Sequence, residues 1–436
     1  MLVRYLNNKA ITRIQAAGVI AVIVVAAVAG AIFASPLFSP KPQGAEKQEI
    51  VVGFTISKSG FQAAPSDDVW HGEQVWMDQV SKGGGIFWKP SGKRIPLRVV
   101  NYDDQSDMGR LSSSYDTLIT KDKVDALLSP QGSTLTLAAA AVAAKYQKVI
   151  VASSVCGFEV FSQGYTNLYG SFSVCTELYR PVSTWWKQLN LTRIALIWQR
   201  EPFLATDRLS LLKYAQLQGL QVTADLGFYS TETNFIPLIQ SVMASQADVL
   251  DIEAYAAPAA AIIAQAKSLG YAPKMIFSFS MVNFFGQMVK AGGNDILYVT
   301  TPMGRFPRIS QPVDYGLTLN QFLARTNEMF PGYIPSSNAL SGYIAGLILQ
   351  YLIEQTGSVD PKDIRATALA LTAKGGLKTA QGLWGPTTDG SDAWDTWPYV
   401  GQVLPNPQGQ PELYYVWPNE VKDRDLTSPF PAWSKR

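Results

Sequence analysis

From residue 193 the chain reads Arg193-Ile-Ala-Leu-Ile-Trp198, then Val222-Thr-Ala-Asp-Leu-Gly-Phe-Tyr229, Asp248-Val-Leu-Asp-Ile252 and Lys274-Met-Ile-Phe-Ser-Phe279. Each run is short and rich in the residues that suit a pleated, buried surface. The stretches between them, 208–217, 235–243 and 259–269, return apolar residues at helical spacing. Alternating β and α segments with continuously apolar strands predict parallel sheets covered on both faces. The same rhythm precedes this region, with β-rich runs at 50–55, 96–102, 124–128 and 149–152 and a helical stretch at 135–146. One more β-rich run follows at 296–300. The alternation breaks near Gly170-Cys175, so two doubly wound domains are expected. Ligands of such sheets bind at the carboxyl ends of the strands, where loops and helix amino ends expose free amides.

A chain of 436 residues exceeds what one hydrophobic core usually supports, which agrees with two lobes. Hydrophobic residues make up 47% and charged residues 16%, the balance of a globular protein with large cores. A net charge of +2, with no Lys/Arg run, excludes a strongly basic nucleic-acid surface. Helical patterning continues over 315–373, and the tail from Gly382 is rich in Trp, Pro and short β-like runs.

Residues 16–34 carry no charge and follow Arg4, Lys9 and Arg13. At about 1.5 Å per residue this run is roughly 28 Å long, close to a bilayer core. The basic flank, 1–15, belongs on the cytoplasmic side, so the rest is expected outside the cytoplasm. The run reads as a retained anchor, although Ala29-Gly30-Ala31 also offers small residues to a signal peptidase. Residues 35–47 form a tether with Pro36, Pro40 and Pro42. The two cysteines, Cys156 and Cys175, read as a disulfide in an exported protein, with two buried thiols as the alternative. No CxxC or Cys/His cluster is present, so neither a metal nor a cofactor is expected.

Several blocks resemble the leucine/isoleucine/valine-binding family of type I periplasmic binding proteins, the substrate-binding proteins of ABC transporters. They are Ile50-Val-Val-Gly-Phe-Thr-Ile-Ser-Lys-Ser-Gly60, Gly84-Gly85-Ile86 with Asp103-Asp104-Gln-Ser-Asp107, Val124 to Pro130 leading into Gly132-Ser133, and Gln265-Ala-Lys267-Ser-Leu-Gly270. The resemblance spans roughly residues 50–418. It implies two α/β lobes joined by a three-strand hinge, with crossovers near Ser171-Cys175, Thr300-Arg305 and Gln381-Pro386. Lobe 1 is then 48–172 plus 304–381, lobe 2 is 173–303 plus 382–420, and 421–436 is a tail.

The resemblance also implies a ligand site. Ser133 opens a helix after a strand, where Ser is also a good N-cap. Ser153 and Ser154 end another strand, and Tyr255 and Phe203 fall where the family places aromatics that close over the ligand. Phe61 is a further wall candidate. The family's carboxylate for an α-amine is missing, because Ser278-Phe279-Ser280 stands at its place. Glu253 is the expected substitute, with a lobe-surface or hinge charge as its other reading. This departure opens neutral amides, urea and small carboxylates as alternatives to a branched-chain amino acid. Gly342-Tyr343-Ile344-Ala345 likewise lacks the family's Asp. Asp103 and Asp104 are expected to organise a loop.

Enzymatic chemistry is not expected. The only histidine is His71, on an expected helix over 70–80, and no Walker or HExxH motif occurs. A sensory ectodomain is the competing class. The expected partners are a small solute, an ABC permease and, through 16–34, the membrane.

Overall fold

A computed structural model describes residues 47–171, 173–392 and 399–435. The apolar run 16–34, its basic flank and all but the last residue of the tether lie outside the described residues, as do Trp394 and Trp397. The chain divides into two units, Met1–Gln48 and Glu49–Arg436, and every helix and strand named below lies in the second. Among the described residues no helix is long and apolar enough to cross a membrane.

The first lobe begins with β1 (Ile50–Ile56), α1 (Ala63–Lys82), a hairpin of β2 (Ile86–Trp88) and β3 (Lys93–Ile95), β4 (Leu97–Asp103) and α2 (Met108–Thr120). It continues with β5 (Ala126–Leu128), α3 (Ser133–Lys145), β6 (Ile150–Ala152), α4 (Phe158–Phe161) and β7 (Leu168–Gly170). The strands form a parallel sheet in the order β4-β1-β5-β6-β7. Successive side chains of a strand point to opposite faces. Ile50, Val52, Phe54, Leu128 and Val151 therefore enter one core cluster, while Val51, Leu127 and Ile150 enter another on the opposite face. That division is why these strands read as continuously apolar.

The chain then crosses to the second lobe. There it forms α5 (Tyr179–Gln188), β8 (Arg193–Gln199), α6 (Pro202–Gln218), β9 (Gln221–Phe228), α7 (Ile236–Ala244), β10 (Val249–Glu253) and α8 (Ala256–Ser268). β11 (Met275–Ser278), α9 (Ser280–Asn283), α10 (Phe285–Gly292) and β12 (Thr300–Met303) complete this passage. The chain returns to the first lobe for α11 (Leu319–Met329), α12 (Ser337–Thr356), α13 (Pro361–Ala373) and the small pair β13 (Leu377–Lys378) and β14 (Leu383–Trp384). β15 (Tyr399–Pro405) and β16 (Pro411–Trp417) then join the second sheet, ordered β16-β15-β12-β11-β10-β8-β9. Its β8–β12 core is parallel, and β15 and β16 are antiparallel additions at one edge.

Two boundaries differ from the sequence reading. The strand expected at 296–300 is a 3-10 turn at Gly293–Ile296 followed by β12, four residues later. The third crossover was expected near 381–386. Trp384 instead packs into the first lobe's core, its indole donating to the Gly170 carbonyl at 2.8 Å, and Gly170 N donates to the Gly390 carbonyl at 2.8 Å. The chain thus holds to the first lobe through about residue 390. The described part of the tail, 421–435, packs on the second lobe through Phe430, whose amide reaches the Lys274 carbonyl.

α1 and α12 cross closely because glycines line the contact. A Cβ on Gly72 would fall 1.7 Å from the Ala339 carbonyl oxygen, and one on Gly346 would fall 2.2 Å from the Trp76 ring. Ile344, at the position of the family's missing acid, is fully buried in this core. Asp104 is buried and accepts from Thr55 and Ser57 hydroxyls, which ties the 103–107 loop to the end of β1.

Candidate functional site

Both sheets present the carboxyl ends of their parallel strands to one cleft. From the first lobe come Gln131 and Ser133, after β5, Ser154, after β6, and Asn338, at the start of α12. From the second come Phe203, after β8, Tyr255, after β10, and Phe279, Asn283 and Phe284, after β11. In this closed form they leave a cavity of about 20 Å³, room for little more than one water-sized group. Among the described residues none of the lining side chains is charged.

Hydrogen bonds close the lobes over this space. Gln62, at the amino end of α1, donates to the Tyr255 hydroxyl at 2.7 Å, and Thr134 Oγ1 donates to Glu201 Oε2 at 2.9 Å. Asn338 Nδ2 donates to the Asn283 carbonyl at 2.9 Å, and Ser337 Oγ donates to Asn283 Oδ1. On the second lobe the aromatic wall is continuous. Phe203 meets Tyr255 at 5.4 Å between centroids, and Tyr255 meets Phe284 at 5.6 Å. Such edge-on and tilted pairs add to the apolar burial itself. Burial raises the Tyr255 phenol, with the Glu201 carboxylate adding to the effect, so it stays neutral.

Ser133 lies in the first turn of α3, after Gly132 at φ 84°. That left-handed conformation favours glycine. Ser133 Oγ accepts from Gly157 N at 3.1 Å, which leaves its proton free to donate into the cleft. A Cβ on Gly157 would lie 2.8 Å from Ser133 Oγ, so a larger residue there would push that hydroxyl aside. Ser154 Oγ donates to Asn338 Oδ1 at 2.6 Å. Ser153 sits one layer deeper and does not line the cleft. It donates to Glu73 Oε1 at 3.3 Å, and its carbonyl accepts from Ser171 and Ser341 hydroxyls. Burial holds the Glu73 carboxyl well above its ordinary range.

Besides Ser153, two more expected contacts are not in the cleft. Phe61 is 46% exposed and outside the lining, although its neighbour Gln62 is fully buried beside it. Glu253 is the larger correction. It is the last residue of β10 and points away from the cleft, alternating with Ile252. Its Oε1 accepts from the Tyr179 hydroxyl at 2.6 Å, and the same hydroxyl lies 2.5 Å from Asp251 Oδ2. Asp207, on α6, is buried beside these two acids, and neither of its carboxylate oxygens has a hydrogen-bond partner. Burial raises all three carboxyls, and Asp251 is pushed up to about 7. Glu253 belongs to this internal cluster and cannot meet a ligand's amine.

Cys156 and Cys175 form the expected disulfide, with Cα atoms 5.2 Å apart, and Cys156 lines the cavity. The sulfurs lie near Asp207, but a disulfide offers no thiolate to a cation. His71 lies outside the cleft, stacked on Tyr333 at 4.3 Å. Sequence reasoning missed Gln62, Gln131, Asn283 and Asn338. Gln62 and Gln131 adjoin residues that were singled out, Asn283 and Asn338 do not, and neutral amides carry no chemical signature of their own.

A family model described as "periplasmic binding protein" matches residues 49–393. Among solved structures, a leucine-binding protein, LivK, from Thermotoga maritima aligns with a TM-score of 0.71 at 18% identity, covering 84% of this chain and 97% of that one. The branched-chain amino acid transporter substrate-binding protein LivJ from Streptococcus pneumoniae, in complex with isoleucine, aligns at 0.68 and 20% identity, covering 85% and 100%. A solute-binding protein of an ABC transporter from R. palustris, in complex with 4-hydroxybenzoate, aligns at 0.65 and 15% identity, covering 88% and 99%.

Proposed function

Because the chain belongs to the periplasmic binding protein family, we propose that it is the extracytoplasmic solute-capturing component of an ABC importer. The observation that carries this reading is the closure of two lobes over one cavity to which both contribute. Three hydrogen-bonded bridges, Gln62–Tyr255, Thr134–Glu201 and Asn338–Asn283, join residues that face each other only when the cleft is shut. Such a hinge couples solute binding to a change of shape that a permease can read. No bond chemistry is involved: solute enters the open cleft, Ser133 and Ser154 hold it on the first lobe, and Tyr255 and Phe203 close over it. The cost of closure lowers the apparent affinity, so the open–closed balance tunes capture.

The leucine and isoleucine relatives favour an amino acid, whereas the 4-hydroxybenzoate complex widens the range of solutes on this fold. With Glu253 turned inward, the branched-chain reading lacks its acidic partner.

The test is thermal melting of the full chain against amino acids, amides, urea, small carboxylates and sugars, with X-ray scattering for closure. A captured solute at about a thousandfold over Kd stabilises by about 4 kcal/mol, enough to raise Tm by several degrees. It also shrinks the radius of gyration and is recovered unchanged by mass spectrometry. No shift with any solute sinks the capture reading, and a converted solute sinks the non-enzymatic one.

A further inference from the structure

Neutral amide side chains bring unanswered polar atoms to the cleft. Gln131 Oε1 and Asn283 Nδ2, on lining residues, are buried without a hydrogen-bond partner. So is Gln62 Oε1, whose Nε2 holds Tyr255. A Cβ on Gly132, a cleft residue, would lie 3.5 Å from that same oxygen. Buried polar atoms are nearly always paired, and leaving one unpaired is costly. A group that accepts a hydrogen bond from Asn283 and donates to Gln131 would therefore complete the closed form.

Charge narrows what that can be. An ammonium would meet no carboxylate among the lining side chains, because Glu253 is turned to Tyr179. An anion would meet no Lys or Arg there, and the Glu201 carboxylate, held by the Thr134 hydroxyl at the amino end of α3, would repel it. The other nearby acid, Glu73, lies behind Ser153. Burying an unpaired charge is strongly unfavourable. Phe203, Tyr255, Phe279 and Phe284 meanwhile offer an apolar wall whose one polar group is the Tyr255 hydroxyl, which accepts from Gln62.

We propose that the cleft selects an uncharged carboxamide with an apolar body. Its carbonyl accepts from Asn283 Nδ2, its N–H groups donate to Gln131 Oε1 and Gln62 Oε1, and its body packs against the aromatic wall. A primary amide supplies both roles in one flat, neutral group. This assignment rests on the solute-capture reading and narrows it.

The test uses two isosteric series by calorimetry on the full chain. Isovaleramide, isovalerate, isoamylamine and leucine share one branched body, and benzamide, benzoate and benzylamine share one ring. The expected result is that at least one amide binds about tenfold or more tighter than every charged member of its series. A charged member equalling its amide, or failure of both amides, overturns the assignment. Pools of other amino acids, sugars and polyols run alongside separate the two failures. Binding only there retires the carboxamide but leaves capture standing, whereas silence throughout retires both. Gln131→Glu and Asn283→Asp provide the second arm, each checked for an unliganded melting point near wild type. Amide affinity should fall about tenfold in either variant, with isoamylamine or benzylamine gained. Unchanged amide affinity in both variants overturns the assignment, since a purely structural amide would not switch charge preference.

Discussion

Removing one acid from beneath the second lobe should flatten the protein's pH–stability profile. Tyr179 has a single hydroxyl proton, yet its oxygen lies 2.5 Å from Asp251 Oδ2 and 2.6 Å from Glu253 Oε1. One of the two contacts must take its hydrogen from a carboxyl group, so the folded cluster retains a proton. Asp251, fully buried, is pushed by desolvation from an ordinary 3.8 to about 7. Below about pH 4 folded and unfolded chains both hold this proton, and the stability is fully present. Between pH 4 and 7 the unfolded chain releases it while the fold keeps it, so stability falls by about 1.4 kcal/mol per pH unit. Over the whole window the loss is about 4 kcal/mol, shared with Asp207 and Glu253 because the three titrate together. Asp251→Asn can still accept from Tyr179 but carries no proton to lose. Denaturant unfolding of wild type and variant at pH 4.5, 6 and 7.5, read by tryptophan fluorescence, tests this. The variant should gain on wild type by about 2–4 kcal/mol between the lowest and highest pH. Parallel profiles would refute the reasoning.

Three further outcomes are expected. Tyr255→Phe leaves Gln62 Nε2 buried without an acceptor in the closed form, which costs about 1–3 kcal/mol and should weaken solute Kd roughly 5- to 150-fold by calorimetry; a change under about twofold would show that this bridge does not support closure. Replacing Cys156 and Cys175 with Ser frees a loop of sequence separation 19, which on loop-entropy grounds costs about 3 kcal/mol and should make the unfolding midpoint insensitive to dithiothreitol. A loss below about 1 kcal/mol would argue against that account. Gly72→Ala drives a methyl to 1.7 Å from a main-chain oxygen that cannot swing aside, so α1 and α12 must part and the fold should lose about 3 kcal/mol. A midpoint shift worth under about 0.5 kcal/mol would mean the crossing is softer than its geometry.

Local pattern was enough to establish the two-lobed architecture. Runs such as Ile50–Ile56 and Ile150–Ala152 are apolar and buried on both faces, and only a sheet covered on both sides buries them. The family resemblance points to the strand ends after β5, β6 and β10, and Ser133, Ser154 and Tyr255 do converge on one cleft. Strand periodicity also separates Glu253 from the cleft residues that follow it, but which face of β10 meets solute depends on where Tyr179 and Asp207 pack. The tertiary structure alone decides that. It alone decides, too, that Trp384 stays with the first lobe, because its indole finds a carbonyl 214 residues away. The closing contacts have the same character: Gln62 reaches Tyr255 across 193 residues, and Asn338 reaches Asn283 across 55. Glutamine and asparagine are common on any surface, and they acquire a role only when burial removes water and leaves Gln131 Oε1 and Asn283 Nδ2 unpaired on residues that line a cavity. Burial on both faces of a strand is written in neighbouring residues, whereas the polarity of a cleft is set by atoms that only the folded chain brings together.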